Sequence, residues 1–267
     1  MMKKWIGFCW VLLAFNQCIA QENTAGATVN WGYKGNQDPA RWAVLDPAFA
    51  ECAKGKQQSP INIKTQKLSA AENTLLINYT PSQGSLGIDL TTDLSVGNQH
   101  LEIKDGHGVQ VNNHSPKETV TFNNEVYRLV QFHFHTPSEN AINNVSYPAE
   151  IHFVHQSEHG NVLVLAVFVA GGQTNQGIEN ITNQLKAGMN PTPLNFVPAD
   201  LLPPTRSYYH FMGSLTTPPC TEGLQWVVFK TPISATPAEI VWLRKANGGA
   251  NARPIQATNN RVVSLNQ

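Results

Sequence analysis

The chain has 267 residues, of which 41% are hydrophobic and 13% are charged, and its 18 basic and 18 acidic residues give a formal net charge of zero. This balance argues against a nucleic-acid binder, which usually has a net basic charge, and the apolar content argues against disorder. The 19 glycines and 17 prolines indicate many turns, and no linker, repeat or charge run divides the sequence, so we expect one β-rich domain.

The first twenty residues have the pattern of a secretory signal peptide. Lys3 and Lys4 precede an apolar run from Trp5 to Phe15, and Ala20 is a small residue before the expected cut. The run is shorter than the ~20 residues that span a bilayer, which disfavours the alternative of a membrane anchor. The residues before Cys18 also lack the small side chains expected of a lipoprotein. Cleavage after Ala20 would leave residues 21–267 as an exported domain with a net charge of 16 − 18 = −2.

Two cysteines, Cys52 and Cys220, remain after removal of that segment. In an oxidising compartment they form one candidate disulfide, and two independent thiols are the alternative. A bond between them would close a loop of 220 − 52 = 168 residues. The chain-entropy model gives such a cross-link ~5 kcal/mol of stabilisation as an upper estimate.

Nine short runs of β-prone residues, either apolar throughout or alternating with polar residues, predict strands. In chain order they are Leu75–Tyr79, Gly87–Leu90, Val109–Val111, Thr119–Phe122, Val126–His135, Ala149–His155, Val162–Val169, Tyr208–Phe211 and Leu224–Phe229. Turn sequences separate them, for example Lys104-Asp105-Gly106 and Glu158-His159-Gly160-Asn161.

Helix signals are few. Ile178, Ile181 and Leu185 have helical spacing, and Gly188 follows as a stop signal. Thr236-Pro237-Ala238-Glu239 is a capping box with proline at the first helical position. We therefore expect a mainly β fold with short peripheral helices.

The segment Val130–His135 predicts a strand with one face that carries histidines. Because side chains alternate along a strand, Gln131, His133 and His135 share one face, and Phe132 and Phe134 share the face that belongs in the core. A polar face inside a β protein requires a cavity, water or a metal, since unpaired buried polar groups are costly.

The segment Glu150–His155 repeats this pattern. Glu150, His152 and Val154 share a face, so His152 joins the other two histidines if the strands are neighbours. Three converging imidazoles are typical of a catalytic zinc site with an open fourth position, and a His-x-His pair without metal is the alternative. Gln131 and Glu150 are suited to hold imidazole N–H groups. Five further histidines, which belong neither to this cluster nor to the site of His107, are interpreted as surface or packing residues. They are His100, His114, His155, His159 and His210.

At this point the sequence resembles the exported, bacterial-type α-class carbonic anhydrases over nearly all of residues 21–267. The matching stretches are Trp31-Gly32-Tyr33, Gln58-Ser59-Pro60-Ile61-Asn62-Ile63, Gln131–His135, Ser138-Glu139, Glu150–His155, Gly213-Ser214-Leu215-Thr216-Thr217-Pro218-Pro219-Cys220 and Asn251-Ala252-Arg253-Pro254. The resemblance implies a single domain around a large, twisted, mostly antiparallel central β-sheet with short peripheral helices. It also implies zinc at the base of a cone-shaped cleft and a Cys52–Cys220 disulfide.

The same resemblance implies reversible hydration of carbon dioxide to bicarbonate and a proton, by attack of zinc-bound hydroxide on CO2. The residues implied are His133, His135 and His152 as ligands of one Zn2+ per chain, Gln131 and Glu150 as partners of His133 and His152, and a backbone carbonyl near Asn251 as partner of His135. Thr216 would accept a hydrogen bond from the hydroxide and donate to Glu139. The substrate would lie beside Thr217 and an apolar wall formed by Val154, Val164, Leu215, Leu224 and Trp226.

His107 occupies the position of the family's proton-shuttling histidine, and its glycine neighbours suit an exposed ring that passes protons to buffer. The alternative is an ordinary surface histidine. The sequence departs from the family pattern at three positions. Asp105 lies near His107, Gln110 stands where an asparagine is common, and Asn140 stands where many relatives have histidine.

Two other functions are alternatives to carbon dioxide hydration. They are a catalytically inactive binding module of the same fold and a zinc esterase or other metallo-hydrolase with a larger substrate.

The resemblance implies binding of CO2 and bicarbonate, inhibition by sulfonamides and anions, and a homodimer as one option. We expect no nucleic-acid partner, no membrane attachment after signal removal, and a periplasmic location, with secretion as the alternative.

Overall fold

The structure is a computed structural model that describes residues 30–96, 99–104, 108–188 and 190–267. The predicted signal peptide, residues 105 and 106 of one predicted turn, and His107 lie outside the described residues.

Strands dominate the part of the chain that the structure describes. They are β1 (Asn62–Ile63), β2 (Ser69–Ala70), β3 (Leu75–Asn78), β4 (Ser82–Ile88), β5 (Thr91–Val96), β6 (Gln99–Lys104), β7 (Val109–Asn113), β8 (Thr119–Phe122), β9 (Glu125–His135), β10 (Ala141–Ile142), β11 (Ala149–Ser157), β12 (Val162–Gly171), β13 (Thr192–Phe196), β14 (Tyr208–Ser214), β15 (Glu222–Phe229), β16 (Ile233–Ala235) and β17 (Ser264–Asn266). Each of the nine predicted strands overlaps one of these. The run predicted from Gly87 ends early, because Asp89 has a left-handed backbone with φ of 62°.

Among the described residues, thirteen strands form one large sheet. Its main path runs β13–β4–β7–β9–β11–β12–β15–β14–β17–β2, with β16 beside β12, β8 beside β9 and β3 beside β8. The β12–β15, β12–β16 and β17–β2 pairs are parallel, and the other pairs of this sheet are antiparallel. The prediction of a mainly β, mostly antiparallel fold is therefore confirmed.

The centre of the sheet is apolar on both faces. β12 is a nearly continuous apolar run, and its first eight residues are buried, as expected of a strand covered on both sides. One face packs in a core that contains Phe132, Phe134 and Phe153. The other face packs in a second apolar cluster that contains Val164 and Trp226. The predicted phenylalanine face of β9 thus lies in the core.

The helices are short and lie outside the sheet. The α-helices in the described residues are α1 (Trp42–Leu45), α2 (Glu51–Lys54), α3 (Gln176–Lys186) and α4 (Pro237–Ala246). Both halves of the predicted capping box form at α4, where the Thr236 hydroxyl accepts from the Glu239 amide and the Glu239 carboxylate accepts from the Thr236 amide. Short 3₁₀ turns occur at Gly35–Gln37, Pro47–Phe49, Thr65–Lys67 and Pro198–Leu201. No helix of the described residues has the length and apolar character needed to cross a membrane.

Two sets of long-range contacts connect an early segment of the described chain with late segments. Cys52 of α2 forms the disulfide with Cys220, which lies 168 residues later in the chain. The buried Arg253 guanidinium donates to Gln58 Oε1 at 2.8 Å, to the Ser59 carbonyl at 2.7 Å and to the Cys52 carbonyl at 2.9 Å. Residues 52–59 are therefore joined to Cys220 and to Arg253, which lie far later in the chain.

Removal of the disulfide is expected to lower the free energy of unfolding by about 2–5 kcal/mol, because the cross-link then no longer restricts the unfolded chain. The Cys52→Ala, Cys220→Ala double variant and the oxidised wild type should be compared by urea denaturation. A reducing agent should bring the wild type to the stability of the variant and leave the variant unchanged. Equal stability of the oxidised wild type and the variant would contradict this expectation.

Candidate metal centre

The candidate metal centre lies where two neighbouring strands carry histidines at matching positions. β9 and β11 are antiparallel, and their register puts His152 directly opposite His133. His135 lies two residues further along β9 and therefore on the same face. The ring centroids are separated by 4.9 Å for His133–His135, 5.3 Å for His133–His152 and 4.6 Å for His135–His152. One nitrogen of each ring lies within 4.8 Å of the others, so the three rings converge.

The second nitrogen of each ring contacts a fixed oxygen on the outside of the cluster. His133 Nδ1 hydrogen-bonds with Gln131 Oε1 at 2.8 Å, and His135 Nδ1 hydrogen-bonds with the Asn251 carbonyl oxygen at 2.8 Å. His152 Nε2 lies 3.1 Å from Glu150 Oε1, which is an ion-pair distance without hydrogen-bond geometry in the described residues. An imidazole with its N–H turned to one side presents a lone pair on the other. Nε2 of His133, Nε2 of His135 and Nδ1 of His152 are therefore the candidate ligand atoms.

Burial favours the neutral form of these rings. Desolvation lowers the pKa of His133 and of His152 well below the ordinary histidine value, and the neighbouring rings of the cluster lower it further. A metal binds only the unprotonated nitrogen, so a cluster that resists protonation is ready to accept a cation.

Glu150 is held by the chain segment that follows β9. Its Oε2 accepts hydrogen bonds from the backbone N–H groups of Glu139 at 2.7 Å and Asn140 at 2.8 Å, and its Oε1 accepts from Asn140 Nδ2 at 2.7 Å. Desolvation raises the pKa of Glu150, and these hydrogen bonds oppose the rise. Asn140, one of the departures from the family pattern, thus fixes the carboxylate that faces His152.

Glu139 brings a second buried carboxylate to the cluster. Its Oε1 accepts a hydrogen bond from the Arg253 backbone N–H at 2.8 Å, and the neighbouring Thr216 side chain lowers the pKa of the carboxyl group. Its Oε2 lies 3.5 Å from His135 Nε2 and 3.9 Å from His152 Nδ1. Desolvation raises the pKa of Glu139 well above its ordinary value, and the Arg253 hydrogen bond and the Thr216 side chain act in the opposite direction.

The residues present fit a zinc ion. Three neutral imidazole nitrogens are the ligand set of a catalytic zinc site, which keeps one position for a non-protein ligand. The buried Oε2 of Glu139 has no hydrogen bond among the described residues, and a cation in the cluster would stabilise that carboxylate.

A small apolar cleft opens beside the rings. Val154 on β11 pairs with Val164 on β12, which pairs with Trp226 on β15, so one row of the sheet supplies a continuous apolar wall. Leu215 and Leu94 complete the apolar lining, and Thr92, Thr216 and Thr217 add hydroxyl-bearing side chains. The cavity, which also contacts His133 and His152, has a volume of about 30 Å³. By that measure it holds roughly two water-sized molecules.

Not every residue implied by the resemblance lies at this cleft. Leu224 is fully buried in the same apolar cluster but is not among the residues that line the cavity. His107 lies outside the described residues.

The histidines interpreted as surface or packing residues lie away from the cluster. His155 is buried, its Nε2 is 2.5 Å from the Tyr79 hydroxyl, and burial lowers its pKa to about 4. His100, His114 and His159 are exposed, and His210 is partly buried against Gln225.

Sequence reasoning did not identify Thr92 and Leu94 as cleft residues or Arg253 as a partner of Glu139. The alternation of Thr92 and Leu94 with Asp93 and Ser95 is a strand signal, but it does not indicate which surface the strand covers. The Arg253 contact is made by a backbone N–H, which leaves no signature in the residue type.

Comparisons with known proteins agree with this geometry. A family model described as eukaryotic-type carbonic anhydrase matches residues 37–267. A carbonic anhydrase of Neisseria gonorrhoeae is 40% identical over 240 residues, which cover 89% of this chain and 88% of that protein. A carbonic anhydrase of Pectobacterium carotovorum is 37% identical over 256 residues, with coverage of 95% and 97%.

Solved structures give the same result. The α-carbonic anhydrase of Thermovibrio ammonificans, solved in complex with the inhibitor sulfanilamide, is 33% identical, with a TM-score of 0.76 and coverage of 89% of this chain and 100% of that chain. The family match and the relatives extend over most of this chain. The chain therefore belongs to the eukaryotic-type, or α-class, carbonic anhydrases, a family of enzymes that hydrate carbon dioxide reversibly.

Proposed function

We propose that this chain is a zinc-dependent carbonic anhydrase whose centre is built by His133, His135 and His152. The observation that carries the proposal is the convergence of three imidazoles, with candidate ligand nitrogens within 4.8 Å of one another, beside an apolar cavity. These three rings would hold the zinc ion, whose chemistry would be to lower the pKa of a water to ~7 and so make hydroxide available at neutral pH. Gln131, Glu150 and the Asn251 carbonyl orient the three rings from outside.

Thr216 orients the attacking group. Its side chain interacts with the Glu139 carboxylate, which accepts a hydrogen bond from the Arg253 backbone N–H. If the Thr216 proton points to the carboxylate, its oxygen is left as an acceptor toward the metal centre. Thr216 then favours a ligand that donates a proton and disfavours anions that have none.

The apolar wall positions carbon dioxide. Val154, Val164, Leu215 and Trp226 line the cavity next to His133 and His152, and they offer no group that competes as a ligand. A small apolar molecule gains free energy by leaving water for this surface, and it is then held beside the reacting group. Leu224 supports the wall from within the same buried cluster.

The proton left by each turnover is proposed to leave through His107. This role rests on the sequence Asp105-Gly106-His107-Gly108 and on the ordinary histidine pKa near 6.5, which allows transfer to buffer at neutral pH. Export to an oxidising compartment, with the periplasm as the first choice, rests on the N-terminal signal pattern and on the Cys52–Cys220 disulfide. By similarity to the relative solved with sulfanilamide, we expect sulfonamides to bind at the metal centre.

Removal of zinc tests the function. Stopped-flow hydration of CO2 should show turnover by the purified protein, loss of that turnover after dialysis against dipicolinate, and recovery on addition of one equivalent of Zn2+. The zinc content of each sample should be measured in parallel. A protein that binds zinc stoichiometrically and does not accelerate hydration would overturn the proposal and favour a binding module.

Thr216→Val is expected to lower kcat/KM for CO2 hydration about 100-fold, because the variant has no hydroxyl to orient the attacking group. Its zinc content should equal that of the wild type, which separates loss of orientation from loss of metal. Thr119→Val, on β8 and away from the cavity, is the matched control and should retain full activity. A change of less than threefold in Thr216→Val would contradict the proposed role.

His107→Ala is expected to lower kcat at low buffer concentration about tenfold or more and to leave kcat/KM nearly unchanged, because proton transfer follows the hydration step. Added imidazole should restore the turnover. His159→Ala, which removes an exposed histidine of the β11–β12 turn, is the control and should behave as wild type. Turnover of His107→Ala equal to that of wild type in weak buffer would reject the shuttle role.

A further inference from the structure

One wall of the cleft comes from outside the large sheet. β5 and β6 pair only with each other among the described residues, as an antiparallel two-stranded ribbon. Along β5, Thr92 and Leu94 are buried, whereas Thr91 and Asp93 are exposed. The inward face of β5 therefore covers part of the molecule, and both of its buried residues line the cavity beside the histidines.

The ribbon is fixed to the large sheet by three side-chain amides. Gln110 Nε2 on β7 donates to Thr92 Oγ1 at 2.9 Å, and Asn112 Nδ2 on the same strand donates to the Thr91 carbonyl at 3.2 Å. Gln156 Nε2 on β11 donates to the Ser95 carbonyl. Gln110 is opposite His133 in the strand register, so the ribbon is held directly beside the metal centre.

Leu94 is the apolar side chain that the ribbon adds to the wall of the cavity. It is 1% exposed and belongs to the buried apolar cluster that also contains Val154, Val164, Leu215 and Trp226. These five side chains are the whole apolar lining of the cavity in the described part of the chain. Four of them come from the large sheet or the strand end beside it, and Leu94 alone comes from the ribbon.

From this arrangement we propose that Leu94, held by the β5–β6 ribbon, limits the size of the molecules that bind readily beside the metal centre. The inference deepens the proposed function, on which it rests, because it assigns a size preference to that site: molecules of about the size of carbon dioxide are favoured, and larger ones such as aromatic sulfonamides bind more weakly than they would without this side chain. The cavity of about 30 Å³ agrees with such a limit. Truncation of Leu94 removes apolar volume from the lining, and a pocket of this kind discriminates about 10- to 200-fold for each methylene that it admits or excludes.

The ribbon also contains a matched control residue. Leu101 on β6 is the register partner of Leu94, is partly buried against the same apolar cluster and does not line the cavity. Leu94→Ala and Leu101→Ala therefore remove the same atoms from the same ribbon. Only the first of them changes the lining of the cavity.

The experiment measures direct binding of two sulfonamides of different size to the zinc-loaded full-length mature chain by calorimetry. The probes are methanesulfonamide and benzenesulfonamide. In Leu94→Ala, the ratio of the two Kd values should shift at least tenfold in favour of benzenesulfonamide, with less than a threefold change in Kd for methanesulfonamide. Leu101→Ala should keep the wild-type ratio.

An unchanged ratio in Leu94→Ala overturns the inference, and so does an equal shift in Leu101→Ala, which would indicate a general loosening of the ribbon. Leu94→Phe provides the opposite change should the alanine variant fail to fold: benzenesulfonamide should then bind at least tenfold more weakly, and an unchanged Kd counts against the inference. CO2 hydration by the wild type is measured in the same preparations. If the wild type does not hydrate CO2, the proposed function is rejected. The ratio of the two Kd values tests the size limit separately, because it does not depend on turnover.

Discussion

The antiparallel register of β9 and β11 is the constraint on which the chemistry of this protein depends. That register puts His152 directly opposite His133. A slip of one residue would turn His152 to the other face of the sheet and separate the three rings. The opposite face resists such a slip, because Phe132 and Phe153 are register partners within the apolar core, with ring centroids 5.2 Å apart. Apolar packing on one face thus fixes the positions of the polar groups on the other.

A buried cluster of imidazoles and carboxylates is costly unless its polar atoms have partners. Here the partners come from distant parts of the chain: His135 bonds with the Asn251 carbonyl 116 residues away, and Glu139 with the Arg253 amide 114 residues away. Arg253 in turn reaches the Cys52 carbonyl, beside the disulfide to Cys220. The centre is therefore complete only when both ends of the domain are in place, which couples its geometry to global folding rather than to local structure.

The walls of the cleft are held in place by two kinds of hydrogen bonding. Val154, Val164 and Trp226 lie on strands joined by backbone ladders, so their positions follow from the sheet itself. Leu94 faces them from a ribbon that three side-chain amides connect to the sheet. The three candidate metal ligands consequently lie on the large sheet alone, whereas part of the cavity wall beside them comes from a separate element.

The sequence by itself determined the features that depend on local periodicity and local hydrogen bonding. These are the β-rich class, the positions of the long strands, the capping box before α4, and the grouping of His133 with His135 on the face opposite Phe134. Alternation along a strand and capping at a helix end involve only near neighbours, so the residue pattern is sufficient. The motif resemblance extended this to the family and to the disulfide.

Only the tertiary structure decided which strands meet and what covers the cleft. It put His152 opposite His133, placed Leu94 in the cavity lining, left Leu224 outside that lining, and joined Asn140 to Glu150. These relations depend on contacts between residues far apart in the chain or on backbone groups that every residue carries. A single sequence records the preference of each segment for its own structure, but the choice of its partner depends on the packing of the whole domain.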